Sequence, residues 1–446
     1  MFIHPPLHKI IHSKQKFSNQ LKAKKQKNKF DSKNKHLNVL FLAPHPFYQD
    51  RGTPIADDMM LKVLSERGEQ VDVVAYPEGK LVTYGQKIRL HRTRYLPFVR
   101  NIRPGFSWKK LVYDVLMLFK IMSLVSKKRY NLVHAVEETV FMALVLKTLF
   151  KIPYVYDMDS SLAQQMVEKY PFLDEIKVSI LFNWFEKLAV KNAQVVVPVC
   201  QALADGIADA KPNKVALLPD VSLLKNEKQK HEEDLKMKLQ IGNLMLMYVG
   251  NLESYQGIDL LLESLSLVLK ETDKIDLVIV GGVPEDIEKY QAKANALGLG
   301  KQVHFLGQKP ASQLGTYLSQ ADILVSPRTQ GKNTPMKIYS YLDSGKAVLA
   351  TDLPTHTQVL NQENSMLAEA TPEDFSEKMV SLIGDAQLRL KLGIAGKMLI
   401  QEKHSYNAYR EKVNKLYDWL KAEILGTEQN QNPPIPNARA ATKEAR

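Results

Sequence analysis

Leu37-Asn38-Val39-Leu40-Phe41-Leu42-Ala43-Pro44 opens the part of this sequence that can build a core. An apolar run of this length, stopped by proline, reads as a strand buried on both faces of a parallel sheet. A loop from His45 to Pro54 follows and carries Gly52. Over residues 56–67, Met59, Met60, Val63 and Leu64 recur at helical spacing, and Gly68 stands where a left-handed residue closes a helix. Residues 71–76 read as the next strand. Strand, helix, strand is a βαβ unit, and further strands are expected at 132–135, 153–156 and 194–199.

A second series begins beyond a charged stretch. Its strands are expected at 244–249, 275–280, 303–306, 323–325 and 347–350, with helices at 257–270, 284–297, 312–319 and 335–343 between them. Two such series predict an α/β protein of two Rossmann-like lobes, each a parallel sheet covered by helices. The expected boundaries are a basic leader at 1–36, a first lobe at 37–224, a linker at 225–240, a second lobe at 241–402, a helix at 403–425 and a tail at 426–446. That helix carries Tyr409, Val413, Leu416, Tyr417 and Leu420 in one stripe, which needs a surface to cover.

A chain of 446 residues, 45% hydrophobic and 24% charged, suits two globular domains with some tail left over. The single cysteine, Cys200, excludes an intrachain disulfide, and its apolar setting after Val195-Val196-Val197 reads as core. The net charge of +13 suggests nucleic acid until it is located. Ten lysines before Leu37 stand against one acid, Asp31, so nine of the thirteen charges lie in the leader. Leader and tail read as disordered. Such a leader can touch anionic lipid or nucleic acid without specificity, or merely solubilise. No specific nucleic-acid partner is expected. There is no secretory signal and no apolar stretch of membrane-spanning length, so the expected place is the cytoplasm.

Open parallel sheets bind ligands where strand ends lead into helix starts. Three such loops stand out. The first, His45 to Pro54, offers Gly52 and Thr53 before a helix. The second runs from Tyr248 to Asp259 and carries Gly250, Asn251, Gln256 and Gly257. The third runs from Ser326 to Val348. In the third, Thr334 reads as the helix N-cap and Pro335 as its first residue, so open amides should meet the positive side chains of Arg328, Lys332 and Lys337. That is a site for a diphosphate.

With these residues in view, the sequence from 37 to 424 resembles the family 4 glycosyltransferases of GT-B fold. The resemblance rests on the Gly52 loop, Val249-Gly250-Asn251 with Gly257, Ile279-Val280-Gly281-Gly282 and Val303-His304-Phe305-Leu306-Gly307. Its most specific part is 335–352, a lysine-containing helix followed by Gly345-Lys346-Ala347-Val348-Leu349-Ala350-Thr351-Asp352. The resemblance implies two lobes facing a cleft, with the last helix crossing back to the first lobe. It implies a nucleotide-sugar donor on the second lobe, held by Gly250, Asn251, Gln256, Asn333, Thr334, Pro335 and Ser340. It implies a glycan or lipid-linked acceptor on the first lobe, near Gly52, Thr53, His134 and Glu137. Lys337, Arg328 and Asp159 are the candidate catalytic residues. The implied reaction is hexosyl transfer with retention of configuration, in cell-surface polysaccharide or glycolipid synthesis.

The sequence also departs from the family pattern. Asn251 and Gln256 replace an arginine and a lysine, Lys332 and Ser340 replace a pair of glutamates, and Asp157-Met158-Asp159 stands where members often carry a histidine. A catalytically silent binding or regulatory module and a sugar-nucleotide epimerase therefore stay open as alternatives. His134 reads either as an acceptor contact or as a satisfied structural histidine, and Asp159 as an acceptor contact or a turn cap. No metal-ligand spacing stands out, so neither metal nor cofactor is expected. The apolar stretch 111–125, flanked by Trp108, Lys109 and Lys110 and by Lys127, Lys128 and Arg129, reads as a helix at a bilayer surface or as a core helix.

Overall fold

The computed structural model describes residues 36–50, 52–100, 102, 107–161, 178–224, 234–331 and 333–426. The leader, the tail, most of the linker, Arg51 and Lys332 lie outside the described residues.

The first sheet contains β1 (Asn38–Pro46), β2 (Gln70–Tyr76), β3 (Ile88–Arg92), β4 (Leu132–Val136), β5 (Tyr154–Met158) and β6 (Val195–Pro198), in the order β3-β2-β1-β4-β5-β6. The second contains β7 (Leu244–Val249), β8 (Ile275–Val280), β9 (Val303–Gly307), β10 (Ile323–Ser326), β11 (Ala347–Thr351) and β12 (Met366–Ala368), in the order β12-β11-β10-β7-β8-β9. All pairings are parallel. Read from their own first strands, the two orders are the same, each reversing direction beside its first strand. In this topology the crevice lies between the first and fourth strands, at their carboxyl ends.

Burial follows the alternation of side chains across a strand. On one face of the first sheet Val39, Phe41 and Ala43 pack under the helices Gly52–Glu66 and Tyr406–Leu425. On the other, Leu40 and Leu42 pack under Trp108–Lys127, Val140–Phe150 and Val178–Asn192. The stripe Tyr409, Val413, Leu416, Tyr417 and Leu420 is therefore spent on the first lobe, although its helix follows the second. Each side chain so buried contributes about 1.5–3 kcal/mol before the cost of ordering. Arg67 fastens the outer side, donating to the Asn414 carbonyl at 3.2 Å and to Asp418 at 2.7 Å.

The structure differs from the sequence reading at several points. β3 and β12 were not expected. The first helix starts at Gly52 rather than at 56. Pro335, not Thr334, is the N-cap of Met336–Asp343, a shift of one residue along the chain. The charged stretch before the second lobe, which suits a linker or an exposed helix, ends in a helical turn, Leu235–Leu239, capped by the Asp234 carboxylate. Among the described residues no helix is long and apolar enough to cross a membrane.

Candidate active site

On the second lobe, the loops after β7 and β10 are pressed together. The Thr329 amide donates to the Tyr255 carbonyl at 2.9 Å. Gly257 sits at φ +75° with the place of a Cβ only 1.8 Å from the Pro327 carbonyl oxygen, so no other residue fits there without moving backbone. Behind the β10 loop, Thr351 Oγ1 donates to the Arg328 carbonyl at 2.6 Å, and Thr355 Oγ1 to the Asn333 carbonyl at 2.8 Å. His356, fully buried between Ser326 and Thr351, is pushed down to about 3 by burial and held neutral. Apart from Thr351, no part of this buttress is legible in the sequence.

These supports hold two cations at the mouth of Met336–Asp343, a helix with no side-chain cap. Lys337 Nζ donates to Gln256 Oε1 at 2.9 Å and lies 4.0 Å from the centre of the Tyr248 ring. Arg328 lies over Tyr255 at 5.0 Å and donates to the Asn333 carbonyl at 3.3 Å. Burial, and then the charge of Arg328, hold the Lys337 ammonium well below the ordinary lysine range. Among the described residues no carboxylate forms an ion pair with Lys337.

The helix start faces the first lobe. Met336 packs onto the cluster that includes Phe47 and Tyr409, and the Thr334 amide meets the Cys200 thiol. Ser340 is fully buried, with its hydroxyl accepting from the Leu223 amide at 3.0 Å. It therefore joins the lobes and is not open to a donor, contrary to expectation. Asn251 is exposed at the rim, and its carbonyl receives the Tyr248 hydroxyl at 2.6 Å.

Across the crevice the first lobe presents carboxylates. Asp57 lies in the helix after β1, Glu137 directly follows β4, Asp157 lies in the last two residues of β5 with Asp159 just past its end, and Asp220 lies beyond β6. Burial first and Asp157 second push Asp159 and Asp57 well above the usual carboxylate range, and raise Asp220 to about 7. Glu137 is raised by burial and then by Glu138, sits at φ +47°, and accepts from Ser160 Oγ at 3.1 Å. Asp57 also meets His45 at 2.8 Å. Gly52 and Thr53 form the first turn of their helix, with Gly52 exposed.

His134 takes neither of its simple readings in full. It has no exposed surface, so it does not itself reach an acceptor. One ring nitrogen meets Tyr417 Oη at 2.8 Å and the other Asp157 Oδ2 at 2.9 Å. Asp57, Asp157, Asp220 and Tyr417 are the site residues that sequence reasoning did not weigh as such, because each is brought in by contacts distant along the chain. Among the described residues no group of three His, Cys, Asp or Glu side chains could hold a metal ion.

Comparison with known proteins agrees with this architecture. Residues 229–398 match the family of group 1 glycosyl transferases, and residues 58–220 match the glycosyl transferase 4-like domain. The chain belongs to the family 4 glycosyltransferases of GT-B fold. Phosphatidyl-myo-inositol mannosyltransferase of Mycobacterium leprae is 22% identical over 40% of this chain and 47% of its own. The match to the curated relatives spans from about half to two thirds of their length. Among solved structures, sucrose-phosphate synthase of Thermosynechococcus elongatus superimposes with a TM-score of 0.72 at 18% identity, over 87% of this family 4 chain and 100% of that one. HepE of Anabaena, solved with UDP-glucose, gives 0.67 at 14% identity over 86% and 100%.

Proposed function

We propose that this family 4 protein transfers a hexose from a nucleoside diphosphate sugar, held on the second lobe, to a hydroxyl of a glycan or lipid-linked acceptor held on the first. The observation that carries this reading is the uncapped start of Met336–Asp343, with Lys337 and Arg328 beside it, facing carboxylates of the other lobe. A departing diphosphate needs positive charge aimed at its oxygens in a site that excludes water, and helix amides with two fixed cations supply it without a metal. The bond from the anomeric carbon to the diphosphate oxygen breaks with its electron pair. The acceptor oxygen bonds to the same carbon, and its proton leaves with the diphosphate. Attack from the face the leaving group vacates retains configuration. A neighbouring fold solved with UDP-glucose and a relative named for a phosphatidyl-inositol acceptor support the donor class and a role in glycolipid or polysaccharide synthesis.

The acceptor lobe also carries an apolar and basic outer layer that suits the inner surface of a membrane. Trp108, Leu111, Val115 and Phe119 stand exposed on one helix, Leu149 on the next, and Ile180 and Trp184 on a third, all covering the same face of the sheet. Lys109, Lys120, Lys187 and Lys191 lie among them, whereas Asp114 is paired with Tyr76 and Glu186 is buried. Peripheral binding there would present a lipid-linked acceptor to the crevice.

Incubation with UDP-glucose or GDP-mannose and a panel of methyl glycosides, followed by NMR of the product, tests the reaction. Transfer with retained anomeric configuration that survives EDTA is expected. Binding of either nucleotide with no transfer to any acceptor would favour a silent module. Conversion of the donor sugar without an acceptor would favour an epimerase.

A further inference from the structure

Phe41, His134, Asp157 and Tyr417 form a buried line that the donor chemistry does not need. Tyr417 comes from the crossing helix, 283 positions from His134, and has no exposed surface. His134 lies flat against Phe41, with ring centres 4.7 Å apart and planes 9° apart, which fixes the imidazole in rotation. Its two nitrogens are both engaged, one by Tyr417 and one by Asp157. Only the far end of the line is open: the Asp157 side chain keeps 16% exposure, at the carboxyl end of β5 in the crevice. After burial, its charge pushes up Asp57, Asp159 and Asp220, which places it centrally among the carboxylates.

We infer that Asp157 binds an acceptor hydroxyl beside the one that reacts, and that His134 and Tyr417 are positioning residues that fix the direction of its carboxylate. The inference rests on the transferase reading above. A carboxylate has several lone-pair directions. His134, donating from one nitrogen to Oδ2, occupies one oxygen and leaves Oδ1 as the acceptor for a substrate hydroxyl. In the neutral ring the other nitrogen then accepts from the Tyr417 hydroxyl, so the tyrosine selects the tautomer that donates to Asp157. The arrangement gives a purpose to joining the crossing helix to the first lobe at this point. A helix arriving from the second lobe completes the support of an acceptor-side group. Asp159, two residues on, shares the crevice but lacks this histidine support.

The test separates acceptor binding from donor binding and from folding. In the full-length protein, UDP and GDP affinity, thermal midpoint, and kcat and KM toward methyl glycosides are measured for Asp157→Asn, His134→Gln, His134→Leu and Tyr417→Phe. Asp157→Asn should raise acceptor KM about ten- to a hundredfold, the range of one hydrogen bond to a charged group, with nucleotide affinity unchanged. Tyr417→Phe should raise it severalfold. His134→Gln keeps an amide donor near the outer nitrogen and should retain more acceptor affinity than His134→Leu. Nitrogen NMR should find His134 in the tautomer protonated on the nitrogen facing Asp157, with that preference weakened in Tyr417→Phe. An unchanged acceptor KM in Asp157→Asn would overturn the inference. So would parallel losses of acceptor KM, nucleotide affinity and thermal midpoint in Tyr417→Phe and His134→Gln. A parent protein that binds neither nucleotide and transfers nothing would instead remove the transferase reading itself.

Discussion

Replacing Lys337 by methionine separates the cost of holding this cation from its use. The side chain keeps its length and loses its charge. Two contacts go with it, the hydrogen bond to Gln256 and the approach to the Tyr248 ring. Gln256 Oε1 keeps the Tyr248 hydroxyl at 3.2 Å, whose single proton it shares with the Asn251 carbonyl at 2.6 Å. With those contacts in place the ammonium is nonetheless held well below its ordinary range, by burial and by Arg328. The folded protein without ligand thus disfavours the charge. The variant should be at least as stable as the parent near neutral pH. Nucleotide binding should move the other way. One charge-assisted hydrogen bond to a phosphate oxygen is worth about 1.5–3 kcal/mol, which corresponds to roughly ten- to hundredfold in Kd. Calorimetric titration with UDP and GDP, beside thermal unfolding of the unliganded protein, reads both effects. Unchanged affinity for a nucleotide that the parent binds would refute the phosphate site. A fall in thermal midpoint matching the lost affinity would show that Lys337 is structural instead.

Nucleotide binding should take up protons near pH 8, because an arriving diphosphate raises both Lys337 and the carboxyl groups opposite. Titrations in two buffers of different ionisation enthalpy measure this, and affinity should fall as pH rises. Asp220, raised from 3.8 to about 7, keeps a proton that the unfolded chain gives up. Its stabilisation is full below pH 3.8 and is lost as pH climbs through 7. Asp220→Asn should therefore be more stable than the parent at pH 8–9, by roughly 1–4 kcal/mol, with no gain at pH 3.5. Gly257→Ala must adopt φ +75° and displace Pro327, so a loss of more than about 2 kcal/mol and weaker nucleotide binding should appear together in unfolding and titration. Arg92 donates to the carbonyls of Pro77, Gly79, Phe47 and Lys80. Arg92→Ala should speed hydrogen exchange at 46–50 and 77–80 and slow turnover without changing nucleotide affinity.

What the sequence could reveal depended on how local the cause was. Long apolar runs such as 37–43 and 275–280 announce buried strands because both faces of a parallel sheet are covered. β3 hid because Ile88-Arg89-Leu90-His91-Arg92 alternates charge with apolar residues, as an edge strand does, and β12 is only three residues long. The helix start at Gly52 looks like loop in the sequence because glycine, threonine and proline punctuate chains, yet proline is at home in a first helical turn. The donor-side cations were visible as a cluster in one loop. On the acceptor side the resemblance points to Glu137 and Asp159, but Asp57, Asp157 and Asp220 are far apart in sequence and meet only through the strand order. Tyr417 was visible as part of an apolar stripe, but its hydroxyl was given no task by that pattern.

The two lobes divide the crevice by charge, and the division explains how the chain can depart from its family at Asn251 and Gln256. A lysine in place of Gln256 would stand within hydrogen-bond reach of Lys337, where Arg328 already depresses the ammonium. Three cations there would deepen a penalty that the unliganded fold carries throughout. Gln256 instead supplies an acceptor oxygen, so the site keeps two cations at a cost that a bound diphosphate can reverse. On the opposite wall, carboxyl groups with raised affinity for protons can become neutral as an anion approaches, while Asp157 stays directed by His134. The direct hydrogen bonds between the lobes include Ser340 to Leu223 and Gln358 to Ala202. Such contacts permit relative motion of the lobes. Closure would then be driven by the ligand's own charge, satisfying the cations of one wall and the protonated carboxyls of the other.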